Sequence, residues 1–323
     1  MRTESLRTVT LLLWTALLVA GCSDDGGSPP ADASPPAEGS PPTDGPITHD
    51  GSPPQGDGAG PRAFVGLSAG ESHGCALHAS GSVACWGDQS FGAATPPAGI
   101  LFSQTEAGWG HSCGVVTPSN EIRCWGNNDA QQADSPPGTY KQVSAGLGFS
   151  CAVKQDGTLH CWGGNDAGQA TAPAGTFSQV SAGNLHSCGL KTDGTAACWG
   201  FDSFGQATAP GFNFQQVSAG SNFSCGVRGN AELACWGDDL DGQSSPPTGT
   251  FKAVSAGDDH ACGIKTDGTV ACWGSDLDGQ ATAPAGKFTA ISAGKGFTCA
   301  LGEDGAISCW GLNDKGQTTP PAP

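Results

Sequence analysis

The stretch 177–206 reads FSQVSAGNLHSCGLKTDGTAACWGFDSFGQ. An aromatic opens it, followed by a Val-Ser-Ala-Gly strand ending at Gly183. A second strand carries His186 and Cys188, and a third carries Cys198-Trp199-Gly200. Between the second and third lies Lys191-Thr192-Asp193-Gly194-Thr195, where Gly supplies the positive φ that a tight hairpin turn needs. Folding the hairpin about Asp193 sets Cys188 opposite Cys198, within disulfide reach. The Gly-Gln-Ala-Thr-Ala-Pro segment from Gly205 reads as a fourth short strand.

This unit recurs along the chain. Its opening aromatic falls at Phe64, Phe102, Tyr140, Phe177, Phe214, Phe251 and Phe288, with spacings of 38, 38, 37, 37, 37 and 37. Four short strands in under 40 residues, seven times over, predict an all-β, seven-bladed β-propeller of about 37-residue repeats. A solenoid would also stack repeats, but no atypical polar capping repeats flank the array. Composition agrees, because 52 Gly, 1 Met and 13% charged residues leave few strong helix formers.

Fourteen of the 15 cysteines fall two per repeat. The expected pairs are Cys75–Cys85, Cys113–Cys124, Cys151–Cys161, Cys188–Cys198, Cys225–Cys235, Cys262–Cys272 and Cys299–Cys309, one intrablade bridge each in an oxidising compartment. Closing a loop of about eleven residues contributes about 2–3 kcal/mol on the chain-entropy account. Zinc is the rival reading of a His-x-Cys…Cys pattern. The His position, however, holds His73, His111, His186 and His260 but Phe149, Phe223 and Phe297 in the other repeats. A ligand is not interchangeable with Phe, whereas a buried ring is, so neither metal nor cofactor is expected. Strand parity puts His186, Cys188 and Cys198 on one face and Trp199 on the other. Trp86, Trp125, Trp162, Trp199, Trp236, Trp273 and Trp310 should therefore each pack on the disulfide face of an adjacent blade.

The first 62 residues read differently. Arg2 and Arg7 precede an apolar run, Val9 to Ala20, too short to span a bilayer comfortably but suited to a signal peptide. It ends in Val19-Ala20-Gly21-Cys22, which resembles the lipobox of bacterial lipoproteins. Residues 1–21 are thus expected to be a lipoprotein signal peptide, with Cys22 lipidated and anchoring the chain in a membrane. The localisation this implies is the cell envelope, at the outer membrane or cell surface. Residues 22–62 are expected to be a disordered Pro/Ser/Gly/Asp-rich tether, with Ser-Pro-Pro recurring from Ser28, Ser34, Ser40 and Ser52. In extended polyproline geometry it would reach on the order of 100 Å. The propeller then occupies 63–323.

Charge narrows the partners. A formal net charge of −17 with only 13 Lys and Arg, no two adjacent, argues against nucleic acid. What distinguishes the blades is the dipeptide after each Ala-Gly: Glu71-Ser72, Trp109-Gly110, Leu147-Gly148, Asn184-Leu185, Ser221-Asn222, Asp258-Asp259 and Lys295-Gly296. These positions form one rim, and Trp109, Leu147, Leu185, Asp258 and Asp259 are the candidate binding residues, with ordinary solvated turns as the competing reading. Glu106 replaces the Ser of the other six repeats and reads as tolerated drift rather than a channel charge. The acidic loops Asp238 to Gly242 and Asp276 to Gly279 lack the spacing of a calcium loop and read more simply as Asx turns.

The run from Val254-Ser255-Ala256-Gly257 through His260-Ala261-Cys262-Gly263-Ile264-Lys265-Thr266-Asp267-Gly268-Thr269-Val270 to Trp273-Gly274 and Gly279-Gln280 resembles the regulator of chromosome condensation repeat family. The resemblance covers all seven repeats and implies a seven-bladed propeller that serves as a protein-binding platform. The paired cysteines depart from the family's nuclear members and fit secreted relatives. The function expected is a non-enzymatic, envelope-anchored binding or structural scaffold, monomeric, with an unknown protein partner. An inhibitor or regulator of a secreted enzyme is the first alternative. A polysaccharide-acting enzyme with a channel site is the second, and a non-repeated acid–base pair near the axis would favour it.

Overall fold

Cys188 lies directly opposite Cys198 in the antiparallel register, with Ser187 opposite Trp199 and Leu190 opposite Ala196. Asp193 closes the turn between them: its carboxylate accepts hydrogen bonds from Thr195 N at 2.9 Å and Thr195 Oγ1 at 2.7 Å. Gly194 takes the left-handed conformation, φ 86°. Because this geometry is local, it repeats. All seven expected cysteine pairs are bonded, with Cα–Cα separations of 4.0–4.1 Å.

The computed structural model describes residues 64–322; the segments expected to be a signal peptide (1–21) and a tether (22–62), with Cys22, lie outside the described residues. Each hairpin gains an inner strand, giving seven three-stranded antiparallel sheets. In the fourth blade these strands are Phe177–Ala182, His186–Lys191 and Ala196–Gly200. The other inner strands are Phe64–Ala69, Phe102–Ala107, Tyr140–Ala145, Phe214–Ala219, Phe251–Ala256 and Phe288–Ala293. Each has a register irregularity just after its aromatic, as between Phe177 and Gln179.

The expected fourth strand does not form. The segment after each outer strand runs as turns, with a 3-10 turn at Ser90–Gly92 in the first blade. Its backbone bonds to the next blade instead. Gln169 O accepts the indole N–H of Trp199 at 2.8 Å and the hydroxyl of Ser187 at 3.1 Å. Equivalent indole bonds of 2.8–3.0 Å join every successive pair of blades.

Several tryptophans pack toward a neighbouring disulfide, as parity predicts. Trp199 joins the cluster built on Phe149 and Cys151 of the preceding blade, and Trp236 the cluster built on Cys188 and Leu190. Trp273 lies on Phe223 and Cys225, and Trp86 on Phe297 and Cys299. Burying an indole contributes on the order of 4–6 kcal/mol as an upper bound, from about 150–250 Å² at about 25 cal/mol per Å². The wedges therefore rival or exceed the disulfides.

The His-or-Phe position is a second interblade device. His73, His111, His186 and His260 set Nε2 2.8–2.9 Å from the hydroxyls of Ser112, Ser150, Ser224 and Thr298 in the following blade. Those hydroxyls spend their own proton on carbonyls of Ala93, Gln132, Gln206 and Gln280. Nε2 must then be the donor, which makes each ring the neutral Nε2–H tautomer. Phe223 and Phe297 stand where the following blade offers Ala261 and Gly74, with no hydroxyl to meet. Phe149 is the exception, because its neighbour Ser187 needs only Gln169 O.

The ring closes without strand exchange: Phe64–Gly87 and Phe288–Gly311 each supply a complete sheet. Across the seam, Ala69 N donates to Ser292 Oγ at 2.9 Å and Trp86 Nε1 to Gln317 O at 2.8 Å.

Candidate functional site: the bore and its asymmetric mouth

Six of the seven inner strands run into Ser-Ala-Gly at the axis, and the second carries Glu106 in place of Ser. Each of the six serines sits one blade before the alanine it serves. Ser68, Ser144, Ser181, Ser218, Ser255 and Ser292 accept the amide of Ala107, Ala182, Ala219, Ala256, Ala293 and Ala69 at 2.9–3.0 Å, skipping only Ala145. One residue beyond the glycines, a circle of seven backbone bonds runs from Glu71 N to Gly108 O around to Lys295 N and Gly70 O, at 3.1–3.4 Å. Glycine is required here by contact, since a Cβ on Gly183 or Gly257 would overlap the next glycine's carbonyl oxygen.

These rings enclose an axial cavity of about 120 Å³. Its wall is Ser, Ala and Gly except at Glu106, Trp109, Asn184, Asp258 and Lys295. Those five residues break the sevenfold pattern.

Glu106 takes the place of the seventh serine. The structure puts it in the bore wall, so its carboxyl is a channel group rather than drift on an indifferent surface. Its Oε2 accepts from Ser68 Oγ at 3.2 Å and its Oε1 from Gln104 Nε2 at 3.0 Å. Burial pushes the carboxyl up to about 7, and these two hydrogen bonds oppose that shift only in part. Among the described residues no cation forms an ion pair with it.

At the mouth, Lys295 Nζ pairs with Glu71 Oε1 at 3.0 Å and lies 4.8 Å from the centre of the Trp109 ring. The lysine is thereby held over blades one and two. Asp258, half-buried on another side, has its carboxyl pushed up to about 7 by burial first and then by Asp259, with Lys295 and Asn184 pulling the other way. Asn184 also donates to Ser221 Oγ at 2.7 Å.

Of the candidate rim residues, the structure brings Trp109 and Asp258 together in the cavity wall. Leu147 is half-buried at the equivalent position but does not line the cavity. Leu185 and Asp259 occupy the second place of their dipeptides and are exposed. Asp259 faces the loop carboxylates of Asp241 and Asp238, which after burial hold its own carboxyl up. Lys295, Glu71 and Asn184 were not singled out from sequence. The available signal was that Lys295 is the one base among the seven dipeptides.

The loops after the outer strands share this edge, because inner and outer strands run in the same direction. They expose Phe91, Phe204, Leu240 and Leu277, the last two at 87% and 92%. The acidic loops close on themselves through bonds five and six residues on rather than the two of an Asx turn: Asp239 takes Ser244 N and Ser245 Oγ, and Asp276 takes Ala281 N and Thr282 Oγ1, at 2.7–2.8 Å.

At the other end of the bore a different asymmetry appears. Gln104, Gln142, Gln179 and Gln216 each grip the following blade through both amide atoms, at 2.8–3.1 Å. Blades six, seven and one carry Ala253, Ala290 and Gly66 instead. The Lys295–Glu71 and Ser68–Glu106 contacts fall on that ungripped arc.

Fold and site together define a class: a disulfide-stapled β-propeller with a narrow polar bore and one asymmetric face, the architecture of a binding scaffold. Seven disulfides are the mark of an oxidising, extracellular environment. The chain belongs to the Regulator of chromosome condensation (RCC1) repeat family, whose repeat matches residues 64–93, 102–132, 140–169, 177–206, 214–243, 251–280 and 288–317. It is similar to the CRINKLY WD40 ectodomain of the Arabidopsis thaliana receptor kinase ACR4, at 29% identity and TM-score 0.66, over 78% of this chain and 98% of that one. The ectodomain of the Physcomitrella patens receptor kinase CR4 is similar at 28% identity and TM-score 0.67, over 77% and 74%. Prp20p of Saccharomyces cerevisiae, described with its binding to Gsp1p and histones, shares the fold at 16% identity and TM-score 0.61, over 78% and 83%.

Proposed function

We propose that this chain is an exported lipoprotein, anchored through Cys22 and displayed on the 22–62 spacer, whose propeller binds a protein partner on its mouth face without catalysing a reaction. The observation that carries this reading is where the repeats differ. Trp109, Lys295 and Asp258 gather at the mouth of the bore, Glu106 lies in its wall, and Phe91, Phe204, Leu240 and Leu277 project from loops on the mouth edge. Aromatic anchors on a rigid frame ringed by charge are the composition of a protein interface. A cavity of about 120 Å³ also falls well below the roughly 300–1,000 Å³ of small-molecule pockets. It favours a side-chain tip over a sugar ring, and so favours a binding scaffold, or an inhibitor using the same face, over a polysaccharide enzyme.

A photo-crosslinking amino acid at Leu185, on the mouth face, should capture a discrete partner in cells. The same group at Val65, where an inner strand begins at the opposite edge, should not. Equal capture from both positions, or from Val65 alone, would sink the assignment of the face. Membrane fractionation of Cys22→Ala tests the anchor separately, with release from the membrane as the expected result and unchanged membrane association as the result that overturns it.

A further inference from the structure

We propose that the bore is a binding site for one primary ammonium group, the tip of a lysine-like side chain that the partner inserts along the axis. This deepens the reading of the mouth as the partner-binding face and rests on it, yet the chemistry of the bore can be tested without the partner.

Four observations converge. Glu106 is a carboxyl in the wall of a narrow cavity with two neutral donors, Ser68 and Gln104, and no counter-ion among the described residues. A carboxylate in that state is poorly solvated and gains from an incoming cation. Ser144, Ser181, Ser218, Ser255 and Ser292 each accept one amide, which leaves every hydroxyl a further lone pair for a ligand donor. The size of the cavity admits a compact group. A circle of hydroxyl oxygens with one carboxylate suits an ammonium, a point charge with three donors, better than the planar fork of a guanidinium.

The chain's own cation does not fill this role. Lys295 is held at the mouth by Glu71 and the Trp109 face. The charged groups lining the bore are Glu106 from blade two, Asp258 from blade six and Lys295 from blade seven, with Glu71 of blade one paired to Lys295 at the mouth. Fully ionised, they leave the bore negative, and the net charge of −17 steers a cation toward it.

The test is titration of the full chain with n-butylammonium, followed by amide NMR shifts of the inner strands and by calorimetry. Glu106→Ser reproduces the residue of the other six blades and offers Ala145 N the acceptor its siblings have, so this variant should fold. Shifts should centre on Ala107 and Ala145. Affinity should rise between pH 6 and 8 as Glu106 ionises, and fall about tenfold or more in Glu106→Ser and Glu106→Gln, the scale of one charge-assisted hydrogen bond. Unchanged affinity in Glu106→Ser, no bore shifts at saturating probe, tighter binding of N-butylguanidinium, or displacement by potassium or calcium would each overturn the assignment. If Glu106→Ser leaves partner crosslinking from Leu185 intact while butylammonium binding never occurs, the cation site fails and the binding face stands. If crosslinking is absent although butylammonium binds, the reverse holds.

Discussion

The indole N–H of Trp86 donates to the carbonyl of Gln317 at 2.8 Å, across 231 residues of chain. The same bond elsewhere spans only 30 to 32 residues, as between Trp199 and Gln169. The seam of the ring is therefore built with the joint used at every other interface, supplied by the segment that follows the last outer strand. That segment caps blade one because the ring geometry brings it there.

Ending the chain after Gly316 should destabilise the propeller by more than any single surface change. The buried Trp86 N–H would lose its acceptor, a loss of about 1–3 kcal/mol before any exposure of the indole is counted. Urea denaturation followed by tryptophan fluorescence measures this. A midpoint equal to that of the full chain would show that the last joint contributes nothing to closure.

His186 and Ser224 should couple. His186→Phe alone removes the donor to Ser224 and costs about 0.5–1.5 kcal/mol. Combined with Ser224→Ala it recreates the pairing that Phe223 and Ala261 make one interface further on, so the double variant should be more stable than the sum of the single effects. Strict additivity in the cycle would mean the bond has no energetic content.

Acid should loosen the ring. Burial lowers His73, His111, His186 and His260 to about 4, against 6.5 in the unfolded chain. Unfolding therefore takes up protons between these values. The contribution is complete above pH 6.5 and is lost progressively as pH falls toward 4. Glu106 and Asp258, raised to about 7, act with the opposite sign, because the folded state holds protons that the unfolded state has released. Four groups against two leave a net uptake of up to about two protons near pH 5.5, or about 2.7 kcal/mol per pH unit. Denaturant midpoints at pH 5, 6 and 7 should rise with pH, and Glu106→Ser should steepen the rise by about one proton. A flat profile would contradict the burial of the histidines.

Replacing Cys188 and Cys198 together by Ala should lower stability by about 2–3 kcal/mol, the entropy of an eleven-residue loop, and leave the fold intact. Denaturation without reductant reads this effect. Trp236 packs on that bridge, so a further loss up to the scale of a small core cavity is expected if the neighbouring blade does not settle. A variant as stable as the parent would show the bridge to be redundant beside the wedge.

Much of this was legible from residues close in sequence. The 37-residue period, the Asp193–Gly194 turn and the Cys188–Cys198 register are set within about a dozen residues, where hairpin geometry leaves one solution. Parity then assigns Trp199 to the disulfide face of an adjacent blade, and the structure makes it the preceding one. The fourth strand expected at Gly205 to Pro210 does not form, because the backbone there bonds across to the next blade. Glu106 reads as drift in sequence for a related reason: a single departure from a repeat has no visible meaning until its neighbours in space are known.

The chain's own order of residues determined a staple of seven like hairpins, since each needs only contacts some ten residues apart. Tertiary structure alone decided that Glu106, Asp258 and Lys295, spread over nearly two hundred residues, share one bore, and that Gln317 meets Trp86. Those meetings depend on the angle at which each blade packs on the next, a property of buried indoles and disulfides in contact across seven interfaces, and no local pattern encodes which residues a closed ring will turn toward its axis.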